Sequence, residues 1–147
     1  MSAVVDNIQL VTMETVKCTF EINNEYNGPE TIQVQPRFDL HIEQNTDDIN
    51  QYRITMGVKL WSEEDIGFPY NIEVSIRSIF LLSDIPKTKH QEVLRLNCCA
   101  IMFPYLRSTL SSLMTCAGVT PYFIPVLNMD KLFTKDKVAF SSEKSTD

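Results

Sequence analysis

Four successive stretches of the chain alternate apolar and polar residues, and in each the apolar set falls on even-numbered positions. The first places Ile8, Leu10, Val16, Cys18, Phe20 and Ile22 against Gln9, Thr15, Lys17, Thr19 and Glu21. The second places Ile32, Val34, Phe38, Leu40 and Ile42 against Gln33, Gln35, Arg37, Asp39, His41 and Glu43. The third sets Tyr52, Ile54, Met56, Val58 and Leu60 against Gln51, Arg53, Thr55 and Lys59. The fourth sets Tyr70, Ile72, Val74, Ile76, Phe80 and Leu82 against Asn71, Glu73, Ser75 and Arg77. A period of two is the pattern of a strand buried on one face only. The resulting sheet has a wet face and a dry face, and what covers the dry face decides the function. Asn27-Gly28-Pro29, Asn45-Thr46-Asp47-Asp48 and the acidic run from Glu63 to Gly67 are turn chemistry between strands. Short connections of this kind predict an antiparallel meander.

After Leu82 the alternation stops. Thr88, with Gln91 three residues on, can cap a short helix through about Leu96. The main helix is expected to start at Pro104, whose missing N–H is tolerated at a first helical position. Leu106, Leu110, Leu113, Met114 and Ala117 then share one face, opposite Arg107, Ser108, Ser111, Ser112 and Thr115, and Gly118 reads as the stop. Asn128 reads as the N-cap of a last helix, with Leu127 and Leu132 as a hydrophobic staple across it. Residues 1–133 form a single domain on this reading, and the polar end, 134–147, is expected to be frayed. The fold class is α+β, a four-stranded antiparallel sheet followed by helices on one side.

Rough geometry then shows a mismatch. Strands averaging roughly 40 Å in length, at ~4.8 Å spacing, give a four-stranded dry face of about 750 Å². A helix from Pro104 to Ala117, about 21 Å long and ~10 Å wide, covers roughly 200 Å² of it. Two shorter helices still leave about a third bare, and an apolar patch of that size marks an association surface. The chain is therefore expected to self-associate, to offer apolar grooves to another molecule, or both.

Several chemistries find no support. With 147 residues and 44% hydrophobic content the chain can bury its own core, and its net charge of −6 disfavours nucleic acid or an anionic membrane as partner. No apolar run is long enough to insert into a membrane, and the N-terminus lacks a secretory signal. Cys18, Cys98, Cys99 and Cys116 show no CxxC spacing, which fits a reducing cytoplasm. With His41 and His90 the only histidines, no metal site is expected. The glycines are isolated, so there is no phosphate-cradling loop, and no catalytic residue or cofactor is assigned.

Residues Ile101 to Arg107 read as an aliphatic pair followed by Phe103-Pro104-Tyr105-Leu106-Arg107, and Pro125 to Phe133 read PVLNMDKLF. Together they resemble the SecB protein-export chaperones, where an aliphatic pair is followed by FPYxR and, downstream, by PVNFDxLF. Gln35-Pro36 and Phe20-Glu21 extend the resemblance upstream, so that it spans nearly the whole chain. It implies a dimer of dimers with no enzyme activity and no cofactor. The family holds unfolded precursor polypeptides and passes them to the SecA motor. By the same resemblance Phe103, Tyr105, Leu106 and Leu110 would line client grooves or the subunit contact.

SecA docking in this family uses acids on the polar sheet face, where Glu21 and Glu73 match two positions. Lys17 stands where the family has an acid, and Asn71 where it has an apolar residue. This departure keeps a second reading open, a SecB-like chaperone dedicated to the antitoxin of a toxin–antitoxin system. A hot-dog-like acyl thioesterase also pairs an antiparallel sheet with a long helix. It needs that helix inserted between strands and a base near its start, where this chain has Phe103-Pro104-Tyr105.

Overall fold

The even-numbered apolar residues from Tyr70 to Leu82 belong to an interior strand of a five-stranded sheet in a computed structural model, which describes residues 7–62, 67–125, 128–134 and 138–143. The strands are β1 (Ile8–Ile22), β2 (Gln35–Asn45), β3 (Gln51–Trp61), β4 (Tyr70–Leu82) and β5 (Val138–Glu143). Their order across the sheet is β1-β4-β3-β2-β5. The α+β class holds, while the meander holds only for β2, β3 and β4. Strand β1 pairs antiparallel with β4, so the chain must cross from one side of the sheet to the other between Ile22 and Gln35. Ile22 lies opposite Tyr70, and Gln35 lies opposite Trp61 at the same end of the sheet. A connection of that length spans three strand spacings, roughly 14 Å, without difficulty. Ile32 and Val34, expected in the second strand, belong to this connection. The acidic turn at 63–66 lies outside the described residues.

The frayed end also needs correction. Residues 138–143 form β5, a parallel neighbour of β2, with Leu40 opposite Val138 and Asn45 opposite Glu143. Val138, Ala139 and Phe140 give this short segment enough apolar character to close part of β2's outer edge.

Even-numbered residues of β2, β3 and β4 supply the dry face. Leu40, Ile42, Ile54, Met56, Val58, Leu60, Ile72, Val74, Ile76, Phe80 and Leu82 are all buried. The parity rule fails in β1, where the register shifts between Leu10 and Thr12 and again between Thr15 and Lys17. Each bulge adds one residue and flips the faces that follow. Met13 and Thr15 therefore share the helix side with Ile8 and Leu10, while Val11 and Val16 fall at the bulges and stay exposed.

The helical run begins well before Pro104. A 3-10 turn (Lys87–Lys89), one α-helical turn (His90–Glu92) and a π-helical stretch (Val93–Cys98) lead directly into helix α1 (Cys99–Cys116). No side chain caps the start, so Thr88 does not act as expected. Pro104 lies inside α1 and has no N–H to give to the preceding turn. The end is as read from the sequence: Gly118, at φ 81°, donates to the Thr115 carbonyl and Val119 donates to that of Met114. This is a Schellman closure, which needs a left-handed residue after the helix. Helix α2 (Met129–Leu132) is capped by Asn128, whose side chain accepts from the Asp130 N–H at 2.9 Å. The expected staple involves Leu127, which lies outside the described residues.

Candidate functional site

Helix α1 lays Cys99, Met102, Phe103, Leu106, Leu110 and Met114 against the dry face, chiefly over β4 and β3. Phe103, Leu106 and Leu110, expected to offer an apolar surface, are consumed by the chain's own core. Phe103 stacks at 5.8 Å from Phe38, which in turn meets Phe133 edge-on at 6.3 Å. Tyr105 points the other way and is 52% exposed, one helical turn beyond the exposed Ile101. Of the four motif residues assigned to this surface, only Tyr105 presents it.

The bare apolar area lies mainly on β1. Leu10, Val11, Val16 and Ile22 are all exposed, Ile22 to 63%. The helices end short of this strand, so its helix side is half-covered and its outer edge has no neighbour among the described residues. Phe20 is held at 5.4 Å from Tyr70, which anchors the far end of β1 to β4. Spacing alone could not locate the surplus, because the bulges redistribute the apolar side chains of β1 over both faces.

The opposite, polar face is laced with ion pairs between adjacent strands. Arg53 grips Glu43 with two donors, at 3.2 and 2.6 Å, and Arg77 pairs with Glu14. Glu21 and Glu73 share this face, because Glu21 lies opposite Asn71 and Thr19 opposite Glu73. They differ in environment. Glu21 is exposed, whereas the Glu73 carboxylate is bound by the Lys17 ammonium at 3.1 Å. On β2, burial and then the nearby Glu73 charge raise the Asp39 carboxyl above its ordinary range, while Lys17 acts in the other direction. Lys17 thus neutralises an acid in the middle of this face. Arg37 lies over the Trp61 ring at 4.0 Å, which gives that aromatic a local packing role.

The downstream motif has a structural task that spacing did not reveal. Arg95, buried in the π-helical stretch, donates through Nη1 to Asp130 Oδ1 at 2.9 Å and to the Phe133 carbonyl at 3.0 Å. It clamps α2 and Phe133 onto the core. His90 is likewise structural: its Nε2 donates to the Ile85 carbonyl and its Nδ1 accepts from the Tyr52 hydroxyl, each at 2.9 Å. The vicinal thiols are buried, and burial pushes Cys98 up to about 12 and Cys99 higher still. Among the described residues no group of His, Cys, Asp and Glu side chains is placed to hold a metal, and no helix is long and apolar enough to cross a membrane. Helix α1 follows β1–β4 in the chain and is not threaded between them, unlike the arrangement a hot-dog thioesterase requires.

Comparison with known proteins agrees with this geometry. The family described as preprotein translocase subunit SecB matches residues 6–139. A protein-export protein SecB of Saccharophagus degradans is 33% identical over 114 residues, covering 74% of this chain and 66% of its own length. Another, from Magnetococcus marinus, is 28% identical over 128 residues and is covered to 81%, as is this chain. Among solved structures, a SecB-like chaperone of Mycobacterium tuberculosis, in complex with a peptide from the HigA1 antitoxin, aligns with a TM-score of 0.66. It covers 84% of this chain and 93% of its own at 9% identity, a likeness of fold. With the family model matched over residues 6–139, the chain belongs to the SecB family of protein-export chaperones.

Proposed function

We propose that the protein is an ATP-independent holdase, which binds unfolded precursor polypeptides and keeps them competent for export. The observation that carries this reading is the set of exposed apolar side chains, Leu10, Val11, Val16 and Ile22 on β1 and Ile101 and Tyr105 on α1. Extended polypeptides fit such a surface, because backbone pairing and apolar contact give affinity without sequence selectivity. A second copy of the chain takes part of the same surface, in keeping with assembly as a dimer of dimers. Its work is cytoplasmic and needs neither cofactor nor nucleotide. Light scattering by a refolding client tests the reading: an equimolar amount of the protein is expected to suppress aggregation without nucleotide. Unchanged scattering at excess protein would overturn it.

For the recipient, two readings compete. Delivery to SecA through Glu21 and Glu73 requires acids on the polar face to be available, and the Lys17–Glu73 ion pair works against that. The same pair favours a chaperone dedicated to an antitoxin, the kind of ligand bound by the mycobacterial fold neighbour. A pull-down with SecA from the same cell separates them. If SecA is the recipient, Lys17→Asp binds it several-fold more tightly than the parent; if neither protein binds SecA, the antitoxin reading stands.

A further inference from the structure

Strand β5 is an unusual neighbour for β2. It joins by six rungs in parallel register, and parallel pairing is the weaker kind per residue. Of its described side chains only Val138 is buried, opposite Leu40. Phe140, two residues on, is 38% exposed and forms one wall of a shallow depression whose other walls include Gln44, Tyr52, Lys87, His90 and Gln91. On the polar side a hydrogen bond joins Ser141 Oγ and His41 Nε2 at 3.0 Å. Among the described residues, β5 is held by a backbone ladder, the Ser141–His41 hydrogen bond and two apolar side chains at alternate positions. Any extended polypeptide with apolar residues two apart can offer the same grip. The edge beneath it is the more specialised partner, with Leu40 and Ile42 fixed in the core of the molecule.

We propose that β5 is a displaceable guard strand, which holds the outer edge of β2 in the unoccupied protein and yields it to an extended stretch of non-native polypeptide. This inference rests on the holdase reading above and adds a regulatory step to it. While β5 is docked, the Leu40–Asn45 edge is closed to unrelated chains, which also guards against edge-to-edge aggregation. A client must compete with a strand tethered a few residues away, so apparent affinity falls with the fraction of molecules whose edge is free.

Two full-length proteins test this against fluorophore-labelled, reduced and carboxymethylated lactalbumin, a permanently unfolded polypeptide. In the first, Val138→Asp with Phe140→Asp removes both apolar contacts of β5, and binding is expected to tighten about tenfold. In the second, His41→Cys with Ala139→Cys joins directly opposed residues of β2 and β5. It is made in a background with Cys18→Ser and Cys116→Ser, which removes the exposed native thiols. Oxidation is expected to weaken client binding at least tenfold and reduction to restore it, so one folded protein serves as its own control. If the parent binds and neither release nor locking changes its affinity, or if release weakens binding, the guard role is overturned. If no form of the protein binds the unfolded probe, the holdase reading itself falls, and the guard strand with it.

Discussion

Tyr52 and His90 are 38 residues apart in sequence and meet in the interior, where each satisfies the other's polar atom. Nothing in the sequence pattern links them: His90 read only as one of two histidines, and Tyr52 as one apolar rung of a strand. Replacing Tyr52 by Phe leaves a buried imidazole nitrogen unpaired, at a cost of about 1–3 kcal/mol. Urea denaturation is expected to show that loss, and an unchanged midpoint would refute the role assigned to the pair. The cysteines divide in the same local way. Cys18 and Cys116 are exposed, whereas Cys98 and Cys99 are buried, with Cys98 raised to about 12. Ellman titration of the folded protein is expected to find two thiols reacting quickly and two only after unfolding. The linkage has a definite sign, because folding raises the Cys98 thiol above its ordinary 9.0. The neutral thiol is favoured in the fold, so stability is complete below pH 9 and falls as pH rises towards 12.

At the scale of elements, legibility followed the regularity of the local pattern. Strand β4 could be read to its ends because apolar residues hold its even positions from Tyr70 to Leu82 at every place but Ser78. Strand β1 has the same apparent alternation, yet its two bulges move Thr15 to the helix side and leave Val16 exposed. A bulge is a feature of pairing, fixed by the partner strand, so the sequence of β1 alone carries no trace of it. Strand β5 was missed for a related reason: six residues with three apolar side chains form a strand only because β2 offers an open edge. The end of α1 lies at the other extreme, since a glycine after an apolar helical face is a local signal. Gly118 occupies φ 81°, so Gly118→Val forces a branched residue into left-handed geometry, at about 1–2 kcal/mol. Thermal melting is expected to report a drop of several degrees, and an unaltered melting temperature would contradict the Schellman closure.

Across the whole molecule, the sequence already implied more apolar sheet than helix to cover it, and the strand order explains where the excess goes. Because β1 crosses to the far side of β4, it lies at the margin of the helical layer, and α1 meets it only lightly. Of the site residues, Phe103, Leu106 and Leu110 were legible as apolar helix positions but not as core, since periodicity cannot tell a covered face from an offered one. Tyr105 was legible as surface only through its resemblance to the family motif. In the proposed holdase, β1 and the outer side of α1 are completed by other chains. Sedimentation velocity with the labelled unfolded polypeptide tests it most directly. The protein is expected to sediment as a multiple of its 16.9 kDa chain and to carry the probe with it. A 16.9 kDa species that leaves the probe behind would contradict the account.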